Sequence, residues 1–278
     1  MFKEKVISIK KIVWYSLIVI SAFGIIALSF GFIKAMKVTY SANIASDENK
    51  VNANRSAAEP SIPDQKNANS IRITIMGDSI AKGTGDETGR GLAEYIPYYF
   101  RNLTSKDISL ENIGINGLDS AGFLKQLQSG KPAALISDSN YIMISIGGND
   151  AREILSARGI SKEAEFNDIL DTYLANLKES LKIIRRDNPS CIIVLLELYN
   201  PYQNKDPEDN YLLNNWNFQT KQILENDRKA IGIPADALFR FNIGRFIAAD
   251  GLHPNSEGYR RISEMISKSV ESFLVKEK

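Results

Sequence analysis

The chain has 278 residues, with 34 Lys and Arg against 33 Asp and Glu, so its net charge is +1. That balance gives no argument for a nucleic-acid partner, which would call for a basic stripe. One cysteine and one histidine rule out an intramolecular disulfide and argue against a zinc cluster of the usual ligand types. The length suits one or two domains.

The N-terminus reads as an anchor rather than as part of the fold. Residues 1–11 form a basic segment with Lys3, Lys5, Lys10 and Lys11. Ile12 to Ile33 then runs without a charge, and at helical rise it would span roughly 33 Å, about one hydrocarbon core. Lys34 and Lys37 follow it. The positive excess on the N-terminal side predicts residues 1–11 in the cytoplasm, a single-pass transmembrane anchor over 12–33 and everything after it outside the cell membrane. A cleaved signal peptide is the competing reading, with its best small-residue site at Thr39-Tyr40-Ser41, but its apolar stretch is ordinarily shorter. Both place the rest of the chain outside. Residues 34–70 read as a flexible linker. The stretch is polar, carries Pro60 and Pro63, and has too few large apolar side chains to offset chain entropy. As a coil it would reach on the order of 30 Å.

Residues 71–278 alternate strand-like and helix-like segments. Ile71–Met76, Ile108–Ile113, Tyr141–Ile146 and Cys191–Leu198 are short, apolar or alternating, and bounded by turn residues. A weaker fifth strand is expected near Pro234–Phe239. Between them, Phe166, Leu170, Tyr173, Leu177, Leu181 and Ile184 recur at helical spacing, as do Ile262, Ile266, Val270 and Phe273 near the end. Alternating strand and helix predict a parallel sheet covered on both faces. In such sheets the sites lie at the carboxyl ends of the strands.

Three of those ends have unusual composition: Gly77-Asp78-Ser79, Asn112-Ile-Gly114-Ile-Asn116-Gly117 and Gly147-Gly148-Asn149-Asp150. Parallel strands would bring the three loops to one edge, and the turn Asp250-Gly-Leu-His253 before the last helix could reach it too. The chemistry suggested is acyl transfer. A serine on a tight turn needs a base, and His253 is the sole histidine; Asp250, three residues before it, could hold the imidazole in one tautomer. The oxyanion formed when Ser79 Oγ attacks an ester carbonyl needs donors set in advance. The backbone N–H of Ser79, the backbone N–H of Gly117 and the side-chain amide of Asn149 are available. Asp78 is expected to bond its own loop, and Asp150 to cap the following helix. Cys191, in an apolar strand, is expected to be inert. Other readings of the glycine-rich turns fail. After Gly77 the sixth position is Lys82 where a phosphate loop needs glycine. The Gly83, Gly85 pair is followed by Thr88 where a dinucleotide fingerprint needs a third glycine. Ala81 breaks the Gly-x-Ser-x-Gly elbow.

Gly77-Asp78-Ser79, Gly117 in Asn112-x-Gly114-x-x-Gly117, Gly147-x-Asn149-Asp150 and Asp250-x-x-His253 resemble, in order, the four signature blocks of the SGNH (GDSL-type) hydrolases, across nearly all of residues 71–276. One departure is Ile80 in place of the motif's leucine. The resemblance implies a three-layer α/β/α sandwich with a five-stranded parallel sheet, flavodoxin-like in architecture and here preceded by one transmembrane helix. It also implies an esterase with Ser79 as nucleophile, Asp250 and His253 as triad partners, and Ser79, Gly117 and Asn149 as oxyanion hole, using no metal and no cofactor.

The substrate is left between two versions. One is a lipid acyl ester such as a lysophospholipid, which suits a membrane tether. The other is an O-acetyl group on a cell-wall or secreted glycan, which suits an outward-facing domain. The segment Tyr199 to Trp216, with Tyr202 and Tyr211, could rim the site or simply pack, and packing is the expected role. The reading from another class is a non-catalytic binding or scaffold domain on the same fold. Against it stands the completeness of the set Ser79, Asp250, His253, Gly117 and Asn149.

Overall fold

The computed structural model describes residues 69–156, 162–201 and 207–275. The basic segment, the anchor and nearly all of the linker lie outside the described residues, as does Tyr202. Among the described residues no helix is long and apolar enough to cross a membrane.

Five strands form one parallel sheet: β1 (Ser70–Gly77), β2 (Asp107–Asn112), β3 (Tyr141–Ser145), β4 (Ile192–Leu196) and β5 (Ala230–Ile233), in the order β2-β1-β3-β4-β5. The order reflects burial. β3 and β4 are buried at every position, whereas edge strand β2 alternates exposed and half-buried residues. Because β1 has β2 on one side and β3 on the other, the chain reverses direction across the sheet there. Ligands collect at such a switch point, outside the carboxyl ends of the strands.

Side chains alternate between the two faces with the period of two that a strand imposes. Ile71, Ile73 and Ile75 of β1, with Tyr141, Met143 and Val194, enter one core. That core is covered by α2 (Leu92–Arg101) and α10 (Ser256–Val275) through Ile96, Phe100, Ile262 and Val270. Met76, Ile142, Ile144, Ile193 and Leu195 enter the other. There they meet α3 (Ser120–Gln128), α4 (Ala133–Asp138), α6 (Lys162–Asp187) and α7 (Pro207–Leu224). The apolar stripe expected from Phe166 to Ile184 is the buried face of α6. Short helices α1 (Ser79–Lys82) and α5 (Gly148–Ser156) follow β1 and β3 directly.

The fifth strand is not where the sequence suggested. Pro234 ends it rather than starting it, and Ala235–Phe239 is helix α8, followed by α9 (Ile243–Phe246). Proline has no N–H for the ladder. The strand itself, Ala-Ile-Gly-Ile, is too short and too glycine-diluted to signal itself by periodicity. The aromatic segment divides: Trp216 packs in the core, while Tyr199 both packs and lines the cleft described below. Trp216 is buried on α7 against Tyr173, with ring centroids 4.4 Å apart, and Tyr199 stacks on Phe239 at 4.1 Å. Tyr211, on the same helix, points to solvent.

Candidate active site

The turn after β1 is sharp for a steric reason. Gly77 adopts φ +120°, and a Cβ there would stand 1.9 Å from the Ser145 carbonyl oxygen of β3, so only glycine lets the two strand ends lie this close. Asp78 then caps α1, its carboxylate accepting from Ile80 N at 3.0 Å, which is the loop-bonding role expected of it. Ser79 becomes the first residue of the helix, half-buried, with its hydroxyl at the cleft.

The structure brings Ser79, His253 and Asp250 together. His253 Nε2 lies 2.8 Å from Ser79 Oγ, and His253 Nδ1 lies 2.7 Å from Asp250 Oδ2. The other Asp250 oxygen accepts from Leu252 N at 2.9 Å and from His253 N at 3.0 Å, which fixes the carboxylate relative to the ring. Burial pushes the Asp250 carboxyl upward. The bonds from the His253 ring and from the two backbone donors outweigh it and hold the carboxyl below the ordinary range. The sequence did not reveal one support of this turn: the Tyr199 hydroxyl donates to Leu252 O at 2.8 Å, tying the end of β4 to the residue before His253.

The loop after β2 is stapled to the site from both sides. Ile115 N donates to Gly77 O at 2.8 Å, and Asn112 Nδ2 donates to Ala81 O at 2.8 Å. On the far side, Asn149 Nδ2 donates to Leu118 O at 2.8 Å, using one of the two amide hydrogens. Gly117 lies in this loop at φ +75°, exposed. Among the described residues neither the Ser79 N–H nor the Gly117 N–H donates to a protein acceptor. Gly117 is not a wall of the cleft, whereas Ser79, Asn149 and His253 are.

Asp150 departs from its expected role. It sits within the first turn of α5, and its carboxylate reaches across to α3, accepting from Ser120 N at 3.0 Å and from Ser120 Oγ at 2.5 Å. Asn176 of α6 donates to the same hydroxyl at 3.0 Å. Adjacent residues Asn149 and Asp150 thus hold Leu118 and Ser120, just beyond Gly117. Burial pushes the Asp150 carboxyl up, against the Ser120 bonds. Cys191 sits just ahead of β4, its thiol also pushed up by burial.

The cleft has a volume of about 60 Å³ and is walled chiefly by apolar groups, among them Ile80, Leu196, Leu198, Tyr199 and Leu252. Its acidic members, Asp78 and Glu197, are both raised by burial, Asp78 to about 6. Among the described residues no group of acidic, histidine or cysteine side chains is arranged to hold a metal ion.

The fold and its carboxyl-edge cleft are those of an α/β ester hydrolase. The chain belongs to the GDSL-like Lipase/Acylhydrolase family, whose model matches residues 75–261, and it is a hydrolase of that family acting on ester bonds. It is 26% identical to the uncharacterized protein YpmR of Bacillus subtilis over 72% of this chain and 82% of that protein. It is 25% identical to the spore germination lipase LipC of Bacillus licheniformis over 70% of this chain and 94% of that one. The fold matches the lipase Lip_vut3 from a goat rumen metagenome (TM-score 0.64, 22% identity, 73% of this chain and 99% of that one). It also matches Axe2, an acetylxylan esterase from Geobacillus stearothermophilus (TM-score 0.55, 19% identity, 72% and 94%).

Proposed function

We propose that the protein hydrolyses carboxylic esters through an acyl-enzyme on Ser79. The observation that carries this reading is the unbroken chain of contacts Ser79 Oγ, His253 Nε2, His253 Nδ1, Asp250 Oδ2 at the mouth of an apolar cleft. His253 takes the hydroxyl proton as Oγ attacks the ester carbon, and Asp250 stabilises the imidazolium formed. The oxyanion is received by the N–H of Ser79 and the second amide hydrogen of Asn149, which wall the cleft, and by the N–H of Gly117 on the adjoining loop. The imidazolium protonates the leaving alcohol. Water, deprotonated by the same histidine, then attacks the acyl carbon, and the imidazolium returns its proton to Ser79 Oγ as the acid leaves.

For the substrate we propose a lipid acyl ester, such as a lysophospholipid, presented to a domain held outside the cell membrane by residues 12–33 and spaced from it by 34–70. The name of the Bacillus licheniformis relative, a lipase, supports it. One observation favours a second reading, deacetylation of a cell-wall or secreted glycan. The fold is shared with Axe2, an acetylxylan esterase from Geobacillus stearothermophilus, which supports that reading.

Labelling with a serine-directed phosphonate tests the mechanism. Wild type is expected to be labelled and Ser79→Ala to stay unlabelled; an unlabelled wild type supports the scaffold reading. A panel of esters with lengthening acyl chains separates the two substrates. Preference for acetyl counts against the lipid version, and preference for long chains counts against the glycan version.

A further inference from the structure

Gly83 and Gly85, which make no dinucleotide fingerprint, open the loop that joins α1 to α2, and this loop runs against the histidine turn. A Cβ at Gly85, where φ is +90°, would stand 2.6 Å from His253 Cβ and 2.6 Å from the Pro254 carbonyl oxygen. The residues around it reach in two directions. Toward the loop after β2, Thr84 Oγ1 donates to Asn116 Oδ1 at 2.8 Å, next to Gly117. Toward α10, the Tyr259 hydroxyl donates to Thr84 O at 2.7 Å, and Ser256 N donates to Glu87 Oε2 at 2.8 Å. The Ser256 hydroxyl sits between the carboxylates of Asp86 and Glu87, within donating reach of each.

Asp86 is the centre of this arrangement. It is 7% exposed and also accepts from Gly91 N at 2.8 Å, Arg90 N at 3.2 Å, Tyr95 OH at 3.2 Å and Thr88 Oγ1. Burial pushes its carboxyl up, but the donors, Ser256 first, outweigh that and keep it below the ordinary range. A buried carboxylate with this many donors is rigid. Ser256 stands three residues beyond His253, at the start of α10. The contact between Ser79 and His253 joins segments 174 residues apart, so the backbone of one must be held accurately relative to the other.

We propose that Gly83–Glu87 is a positioning clamp for the reaction: Asp86 and Glu87 grip Ser256 and so set His253 against Ser79, while Thr84 grips Asn116 and so sets Gly117. None of Thr84, Asp86, Glu87 and Ser256 lines the cleft. They act through the residues they hold, so their loss is felt in turnover rather than in substrate binding. The inference rests on the assignments of Ser79, His253 and Gly117 made above.

The test uses the full chain and a short-chain nitrophenyl ester, with competent sites counted by phosphonate titration so that misfolded protein does not enter kcat. Ser256→Ala is expected to lower kcat per titrated site about tenfold, with KM held within about twofold and phosphonate labelling slowed in proportion. Ser256→Thr, which keeps a hydroxyl, is expected to recover most of the loss. Thr84→Val, which keeps the shape without the bond to Asn116, is expected to slow turnover in the same way and serves as the second variant should Ser256→Ala fold poorly. Wild-type kcat per titrated site in both Ser256→Ala and Thr84→Val would overturn the clamp, whatever their melting temperatures. A wild type that the phosphonate leaves untouched would overturn the nucleophile assignment, and the clamp with it.

Discussion

Asp78, the residue before Ser79, is 2% exposed, and burial raises its carboxyl to about 6 although Ser145, Ile80 and Ala81 donate to it. The native protein therefore keeps this proton over a range in which the unfolded chain, near 3.8, has released it. The associated stability is full below about pH 3.8 and is lost as pH rises through about 6. A difference of about two pH units corresponds to roughly 3 kcal/mol, of which about 1–3 should be measurable. Asp78→Asn keeps an oxygen for Ile80 N but does not titrate. Relative to this variant, wild type is expected to lose stability between about pH 4 and pH 7. Urea unfolding of the two proteins across that window measures it, and a constant difference would count against the raised carboxyl. Asp250 has the opposite sign: with its carboxyl lowered, its stabilisation is present above the ordinary carboxylate value and disappears on acidification. At this scale much was legible. The meeting of Ser79, His253 and Asp250 could be anticipated because each is the type the proposed chemistry requires, on a turn that the neighbouring residues announce. The acceptor of the Tyr199 hydroxyl could not be, since a tyrosine in an aromatic run gives no sign of which carbonyl it will meet.

Among the elements, the strands that lead to the candidate site were visible as apolar or alternating runs leading to glycine, and α6 as a stripe of period 3.6. β5 was misplaced because an apolar pattern across Pro234 reads the same whether the strand lies before or after it, and the missing N–H decides. Trp216 looked the same in sequence as a rim residue or a core residue, and its packing on Tyr173 settled which. Asp150 shows what helix-capping rules overlook. Its carboxylate satisfies Ser120 on another helix, and Asn176 brings a third helix to the same hydroxyl. Asp150→Ala would leave Ser120 N and Oγ short of an acceptor in a largely buried place. A destabilisation of about 1–3 kcal/mol is expected, read by chemical denaturation. A change below about 0.5 kcal/mol, the range of ordinary surface substitutions, would show that the joint of α3, α5 and α6 does not depend on this carboxylate.

Across the whole molecule, Asn67–Lys278 is a compact unit with both faces of its sheet covered. Expressed alone, it is expected to melt cooperatively and to hydrolyse a soluble ester with the kcat/KM of the full chain. A loss greater than about tenfold, equivalent to about 1.4 kcal/mol in the transition state, would show that the preceding residues contribute to the site itself. The sequence by itself determined the alternation of strand and helix, the parallel sheet and the residue types at the strand ends. These follow from local periodicity and turn chemistry, which a short window carries. Only the tertiary structure decided the size of the cleft, the reach of Asp150 to Ser120 and the grip of Asp86 and Glu87 on Ser256. Those contacts join residues far apart in the chain, and which side chains meet depends on how twisted strands and packed helices aim them, a property no local pattern contains.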